Sequence, residues 1–386
     1  MTRNVHIAGV ASTNFGTLPG RSLQSLAAEA GRAALADARI PPAKIGCLFV
    51  GNFVGGIMTG QELLGPIVAA DLALANVAAI KIEAACASSS AAVRLGYDLI
   101  RAGAEQAVLV IGVERLTGAP RSALTTAMTA AIDQDTEGRA GLTFPGFWGL
   151  VMARHAHLYG TTREQVAAVT VKNRKFGAAN PLAQFRKTVT LEDVTSSPLI
   201  ADPIRRLDCC PTTDGAAAVV LAAETLVRSC GSPSVRVAAS VLVNGPARAC
   251  DYAEITTHDG TVTAARRAYK AAGVAPEDID VVELHDCFSI AEIVDSEDLG
   301  FFAKGEGGPG VLQAGANRKT VINPSGGLLS KGHPTGATGC GQIYEVAMQL
   351  RGRHPNQVEG ARLGLTHNGG GTAAAVTVHI LESVAR

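Results

Sequence analysis

The chain offers little to a charged partner, because 34 Lys and Arg are offset by 34 Asp and Glu for a formal net charge of zero. That neutrality gives no support to nucleic-acid binding or to attraction by an anionic membrane, so any anionic ligand must be met by local charges. Long apolar runs are also missing. No stretch approaches the roughly 20 residues that span a bilayer, and the start, Met1 to Val10, leads into an expected strand rather than a leader peptide. The eight cysteines form no spaced pairs. Only Cys209 and Cys210 are close; adjacent cysteines rarely bridge and have no metal-site spacing, so the set reads as reduced thiols. The expectation is a cytoplasmic protein with no membrane and no nucleic-acid role.

What is present is a long, glycine-rich, apolar chain: 386 residues, 47% hydrophobic, with 43 Gly. That length calls for two or more lobes. The chain also repeats itself. Val5-His-Ile-Ala-Gly-Val10 reads like Val235-Arg-Val-Ala-Ala-Ser240, and Ile40-Pro-Pro-Ala-Lys-Ile reads like Val274-Ala-Pro-Glu-Asp-Ile, at offsets of about 230 residues. Between the two phrases of each half lies an alanine-rich amphipathic helix, expected at Leu23 to Ala38 in the first and Thr261 to Ala272 in the second. The helix after Cys86 and the strand Ala107 to Ile111 correspond to Gly336 to Leu350 and Arg362 to Leu365. Strands separated by helices predict two α/β halves with right-handed crossovers and largely parallel, buried sheets, packed as a layered sandwich. The expected division is 1–113 with 211–230 for the first half, 114–210 for an insertion without counterpart, and 231–386 for the second half. Insertions on such scaffolds form binding loops, lids or oligomer contacts.

Four clusters carry chemistry. Cys86, in Ala-Ala-Cys-Ala-Ser-Ser-Ser, stands where a strand, Ala79 to Glu83, runs into a small-residue helix; free amides and the helix dipole there favour a thiolate. Taken alone, it also reads as a small packed hydrophobe. His285-Asp286-Cys287-Phe288 follows the apolar strand Ile279 to Leu284, at the carboxyl end where open α/β sheets place ligands. His285 and Cys287 make a weak zinc pair and a better proton-transfer pair. Gly332-His333-Pro334 lies in a glycine-rich loop entering a helix, matching neither a Walker loop nor a dinucleotide fingerprint. His367-Asn-Gly-Gly-Gly371, after the strand ending at Leu365, offers backbone N–H groups suited to an oxyanion hole.

The set Cys86-Ala-Ser88, His285-Asp-Cys-Phe288, Gly332-His-Pro334 and Gly369-Gly-Gly371, in this order over the whole chain, resembles the thiolase superfamily. The His-Asp-Cys-Phe form is similar to the sterol-carrier-protein type and its bacterial acetyl-CoA acetyltransferase relatives; commoner thiolases carry Asn-Glu-Ala-Phe there and Cys-x-Gly near the C-terminus. The resemblance implies a five-layered α-β-α-β-α sandwich of two duplicated halves with an inserted loop domain. It implies Claisen and retro-Claisen chemistry on coenzyme A thioesters, with CoA and acyl-CoA as substrates and no covalently bound cofactor.

By the same resemblance Cys86 carries the acyl group, and His333 takes its proton and later polarises the second thioester. Cys287 moves the α-proton, because His367 stands where most relatives have a cysteine. His285 serves the first oxyanion hole with His333, and the amides of Cys86 and Gly369 form the second. Phe147 and Trp148 are expected near the mouth of the pantetheine tunnel, with Ser325, Gly326 and His367 as further substrate contacts and Arg174 or Lys175 for nucleotide phosphates. A homodimer or dimer of dimers is expected, with a small zinc-ribbon and OB-fold accessory protein as a partner known among relatives. Other activities on the same fold remain open: ketoacyl synthase, acyltransferase or an aldolase-like lyase. So does a non-catalytic acyl-CoA-binding subunit, which would have no need of Cys86, Cys287 and His333.

Overall fold

The structure is a computed structural model describing residues 3–313 and 320–384. The first half contributes β1 (Val5–Ser12), β2 (Cys47–Gly51), β3 (Ala78–Ile82) and β4 (Ala107–Glu114). Within the inserted region, β5 (Leu199–Ala201) and β6 (Ile204–Arg205) make a separate small hairpin, and β7 (Gly215–Ala223) returns the chain to the first half. The second half contributes β8 (Val235–Asn244), β9 (Val281–Glu283), β10 (Val321–Ile322), β11 (Leu363–Gly370) and β12 (Ala375–Ser383). The order β10-β9-β11-β12-β8-β1-β7-β4-β2-β3 makes one ten-stranded sheet, in which the halves mirror each other. Their junction is a short antiparallel ladder pairing His6 with Arg236 and Ile7 with Val235.

The sheet is mixed, which corrects the expectation of largely parallel halves. In each half three strands are parallel (β3, β2, β4 and β10, β9, β11), and two are antiparallel to their neighbours (β7, β1 and β12, β8). The cause is visible at β11 and β12: a tight turn at residues 371–374 joins them, and a turn that short reverses the chain.

Helices cover both faces. Leu23–Ala38 begins at a Ser22 cap, with Ser25 closing a capping box, and lays Leu26, Ala27, Ala30 and Ala34 onto the outer face of β4 and β7. Asp259–Ala272 does the same for the second half through Ala264, Ala265 and Ala268. Between the two half-sheets lie Ser88–Ala102 and Thr338–Leu350, whose Ala92, Val93, Ile343 and Val346 share one core with strands of both halves. The layers are thus helix, sheet, helices, sheet, helix.

Small residues let the starts of the two central helices meet each other and the ends of β2 and β4. A Cβ on Gly339 would stand 2.5 Å from the backbone of Ser90, one on Gly51 2.5 Å from that of Ser89, and one on Gly112 2.6 Å from Ala337 Cα. The Cys340 N–H also donates to Ser89 Oγ at 3.0 Å. This contact holds the N-terminal turns of both helices together. The inserted region closes the same end: Phe147, Trp148, Val151 and Val169 pack on Phe288, Ile290 and Ile293 of the second half.

Candidate active site

Cys86 sits in a turn, Ala85–Ala87, that runs without a break into the Ser88–Ala102 helix. Its neighbour Ala85 has φ +48°, a left-handed pose that costs an alanine about 1 kcal/mol or more. Local bonds hold it there: the Ala85 N–H donates to Glu83 Oε1 at 2.6 Å, and Ser88 Oγ donates to Ala85 O at 2.6 Å and accepts from the Ala84 N–H at 2.9 Å. The helix start is expected to lower the thiol pKa. Instead burial dominates, with Glu114 adding to it, and pushes the thiol up to about 12 against the opposing amides of Cys86 and Gly371.

His333 follows Gly332, whose φ of +114° needs a residue without Cβ. Its amide donates to Thr213 Oγ1 at 3.0 Å. Its ring Nδ1 lies 2.7 Å from Thr338 Oγ1, and that hydroxyl donates in turn to Pro334 O at 3.2 Å. With the hydroxyl hydrogen assigned to Pro334 O, Nδ1 carries the ring proton and Nε2 is a bare acceptor. Burial drives this imidazole down to about 3, so the ring is neutral.

His285 comes from the loop after β9. Its Nδ1 accepts from the Asn368 side-chain amide at 3.1 Å, which leaves the hydrogen of the neutral ring on Nε2. Burial first, then His333, His367 and His258, push its pKa well below that of a free imidazole. The ligand atoms of Cys86, His285 and His333 all lie within 4.8 Å of one another, and the two rings meet edge to face with centroids 5.0 Å apart. With Nε2–H rather than a lone pair turned inward, His285 is a donor here and not a metal ligand. The other possible metal cluster among the described residues, His258, Asp295 and Asp298, is tied internally by a bond from His258 Nδ1 to Asp295 and by an ion pair from Lys304 to Asp298.

Cys287 completes the group. It lines the same cavity of about 220 Å³ as Cys86, His285, His333 and Gly371, and burial raises its thiol well above the usual value, with Cys210 and Cys86 adding to the shift. The cavity wall is apolar, from Leu116, Leu124, Met128, Phe144 and Phe288. Such a space suits a thiol that attacks a carbonyl beside one neutral base and one neutral donor, with apolar room for a chain.

Several expected contacts lie elsewhere. Gly369 is held inside β11 opposite Val376, and the amide aimed at the Cys86 sulfur is that of Gly371. Phe147 and Trp148 are buried in the packing against Phe288 and His258, whereas Phe144 and Pro145, half a turn earlier or more, reach the cavity. Ser325 is tied to Glu283 by bonds of 2.6 and 2.9 Å, and Gly326 is pressed against Gly177, so neither lines the cavity. His367 also misses it: β11 continues to Gly370, and the ring turns to Thr261 Oγ1 at 3.0 Å. Arg174 is buried on the Phe185 ring at 3.9 Å, away from the cavity lining, as is Lys175. The motifs do not single out Thr338, Phe144, or Gly371 among its neighbouring glycines; the one sequence signal for Asn368 is its place in the His-Asn-Gly cluster.

The geometry defines a class before any comparison: a two-half α/β enzyme with a buried cysteine nucleophile where the halves meet. Residues 5–225 match the family model "Thiolase, N-terminal domain", and residues 247–383 match "Thiolase C-terminal domain-like". Among known proteins, the chain is 43% identical over 384 residues to an acetyl-CoA acetyltransferase of Methanothermobacter thermautotrophicus, covering 98% of this chain and 100% of that one. It is 38% identical over 395 residues to sterol carrier protein 2 of Oryctolagus cuniculus, covering 97% of this chain and 71% of the relative. A solved structure named "Ltp2-ChsH2(DUF35) aldolase" superposes with a TM-score of 0.84 at 26% identity, covering 98% of each chain. The chain belongs to the thiolase family. No helix among the described residues is long and apolar enough to cross a membrane.

Proposed function

We propose that this thiolase makes or cleaves a 3-oxoacyl-CoA through an acyl-enzyme on Cys86. The observation that carries the reading is a pair of histidines around one thiol whose Nδ1 atoms take opposite partners, a hydroxyl oxygen for His333 and an amide N–H for His285, which assigns His333 a bare Nε2 and His285 an Nε2–H. In the first half-reaction Cys86 Sγ attacks the thioester carbonyl as its proton passes to His333 Nε2. The amides of Cys86 and Gly371 receive the oxyanion, and the departing CoA thiolate takes the proton back. In the second, the Cys287 thiol gives its proton to the bare His333 Nε2 and, as thiolate, removes an α-proton from the incoming acyl-CoA, whose enolate oxygen is held by His285 Nε2–H. The carbanion attacks the acyl carbon, Cys86 leaves as thiolate and takes the proton held by His333, and Cys287 is again a thiol. Thiolysis runs the same steps backward.

CoA enters as substrate, with no covalently held cofactor. Aldol-type cleavage, the activity for which the superposed aldolase is named, needs no acyl carrier, and the intact Cys86 and His333 favour thiolase chemistry over it. The division into 1–113 with 211–230, 114–210 and 231–386 is supported by which strands each segment supplies. A homodimer is favoured by the open edge of β3, where Ile80 is 50% exposed, and by the exposed Ile57 and Leu63 in the segment that leads to it. An accessory subunit is favoured by that same aldolase, whose name pairs Ltp2 with the DUF35 protein ChsH2. Eight free cysteines, four of them (Cys86, Cys209, Cys210 and Cys287) lining the reacting cavity, favour the reducing cytoplasm.

The test is direct. Incubation with acetyl-CoA, acid quench and peptide mass analysis should find the acetyl group on Cys86, and a panel of 3-oxoacyl-CoAs should reveal thiolytic cleavage. A chain that neither acylates Cys86 nor cleaves any member of the panel is not an enzyme of this type.

A further inference from the structure

The mechanism asks His285 for a hydrogen on Nε2, and a neutral imidazole has that hydrogen on one nitrogen only. Which nitrogen carries it is decided by the partner of the other. Strand β11 runs on through Gly370, so successive side chains turn to opposite faces. His367 faces Thr261, while Asn368, paired across the ladder with Thr377, faces the reacting group. Behind Asn368 stand two hydroxyls in series. Thr377 Oγ1 donates to Ser90 Oγ at 2.8 Å, the Ser90 hydroxyl shares its one hydrogen between Ala87 O at 3.0 Å and Asn368 Oδ1 at 3.2 Å, and Asn368 Nδ2 donates to His285 Nδ1 at 3.1 Å.

The direction of this chain is set by the amide. Its acceptor and its donor are different atoms, so with the Ser90 hydroxyl on Oδ1 only Nδ2 can face the imidazole. All four residues are buried, and bulk water does not compete for the bonds. Ser90 lies in the first turn of the central helix that begins just after Cys86. Thus the orientation of a histidine from the second half is tied to the nucleophile-bearing helix of the first.

We propose that Asn368 is a positioning residue that holds His285 in its Nε2–H tautomer and so keeps an oxyanion donor turned toward Cys86 and the incoming thioester. The use made of that hydrogen rests on the acyl-transfer reading; the tautomer itself does not. Thr338 does the reverse for His333, and the site obtains a base and a donor from the same side-chain type by giving each ring an opposite partner. The titratable groups that face His285 are Cys86, Cys287, His333, His258 and His367, and among the described residues no carboxylate bonds to its ring.

The experiment uses the full-length chain labelled with nitrogen-15 histidine. Ring-nitrogen shifts of His285, assigned by comparison with His285→Gln, should show a protonated Nε2 and a bare Nδ1; a protonated Nδ1 overturns the proposal without any Asn368 variant. Asn368→Ala should lower kcat for thiolysis roughly 10²-fold, the size of one lost oxyanion donor, with KM and the rate of Cys86 acylation changed less than about threefold. Asn368→Asp offers Nδ1 an acceptor instead of a donor, so Nε2 loses its hydrogen. That variant should be least active near pH 8 and gain activity as pH falls to about 6, where a second ring proton restores Nε2–H; the wild type should show no such gain. An Asn368→Asp profile parallel to wild type, or Asn368→Ala with near-normal kcat, refutes the role. Absence of acyl-Cys86 in the wild type would instead sink the thiolase reading and leave the tautomer to the nitrogen shifts.

Discussion

Replacing Thr338 by valine tests the base assignment at its support. Valine keeps the shape of threonine, so the packing at the start of the Thr338–Leu350 helix is preserved while two bonds vanish: the 2.7 Å contact with His333 Nδ1 and the 3.2 Å donation to Pro334 O. His333 is then left with a buried N–H facing a methyl group, or moves its hydrogen to Nε2 and ceases to be an acceptor. Either way, recovering the reactive form costs about 1–3 kcal/mol, the penalty for a buried donor without a partner. Acylation of Cys86 should therefore slow by roughly 5- to 150-fold. The assay is a rapid-quench measurement of the CoA released with the first turnover of acyl-CoA. Thr338→Ser, which restores the hydroxyl, should recover most of the rate. Acylation within twofold of wild type in Thr338→Val, or Thr338→Ser as slow as valine, would show that His333 does not act as a base through Nε2.

Three further outcomes are expected. Cys287→Ala should still load the acyl group onto Cys86 and exchange it with free CoA, while carbon–carbon cleavage falls about 10²- to 10⁴-fold; equal loss in both assays would contradict the division between the two thiols. Gly371→Ala should slow acylation by the order of 10² without preventing folding, because its φ of +64° strains an alanine and the new Cβ would meet Ala131 O at 3.0 Å, moving the amide that faces Cys86. A variant with an unchanged acylation rate would remove Gly371 from the oxyanion hole. Burial, with Glu345 adding to it, raises the Glu283 carboxyl to about 7. An acid whose folded pKa lies above its unfolded value binds more protons when folded, so its contribution to stability is full below about pH 4.5 and is lost as pH rises through 7. Glu283→Gln should accordingly raise Tm at pH 8 and leave it nearly unchanged at pH 4; a gain of equal size at both would refute the assignment.

The duplication and the four clusters are legible because each leaves a local trace. Alanine periodicity marks Leu23–Ala38 to the residue, and the motif order places Cys86, His285, Cys287 and His333 around one space. What escapes depends on contacts between distant segments. His367 is expected to face substrate if its strand ends at Leu365; with pairing continued to Gly370, alternation sends His367 one way and Asn368 the other. Phe144–Tyr159 is apolar on several sides, so its pattern does not tell that Phe144 faces the cavity while Phe147 and Trp148 face the core. The helix start beneath Cys86 is visible in the sequence, but burial, which acts on the thiol more strongly than the helix end does, is not.

The glycine contact between the two central helices has a bearing on how the molecule comes into being. The nucleophile belongs to the half made first, its base and its donor to the half made last, and they meet only where Gly339 lets one helix end rest against Ser90 of the other. Until that seam closes, the emerging chain has thiols and imidazoles but no acyl-transfer centre. Catalytic competence is therefore acquired at one late moment of assembly, and a substitution of Gly339 would be felt as missing activity well before it was felt as a missing protein.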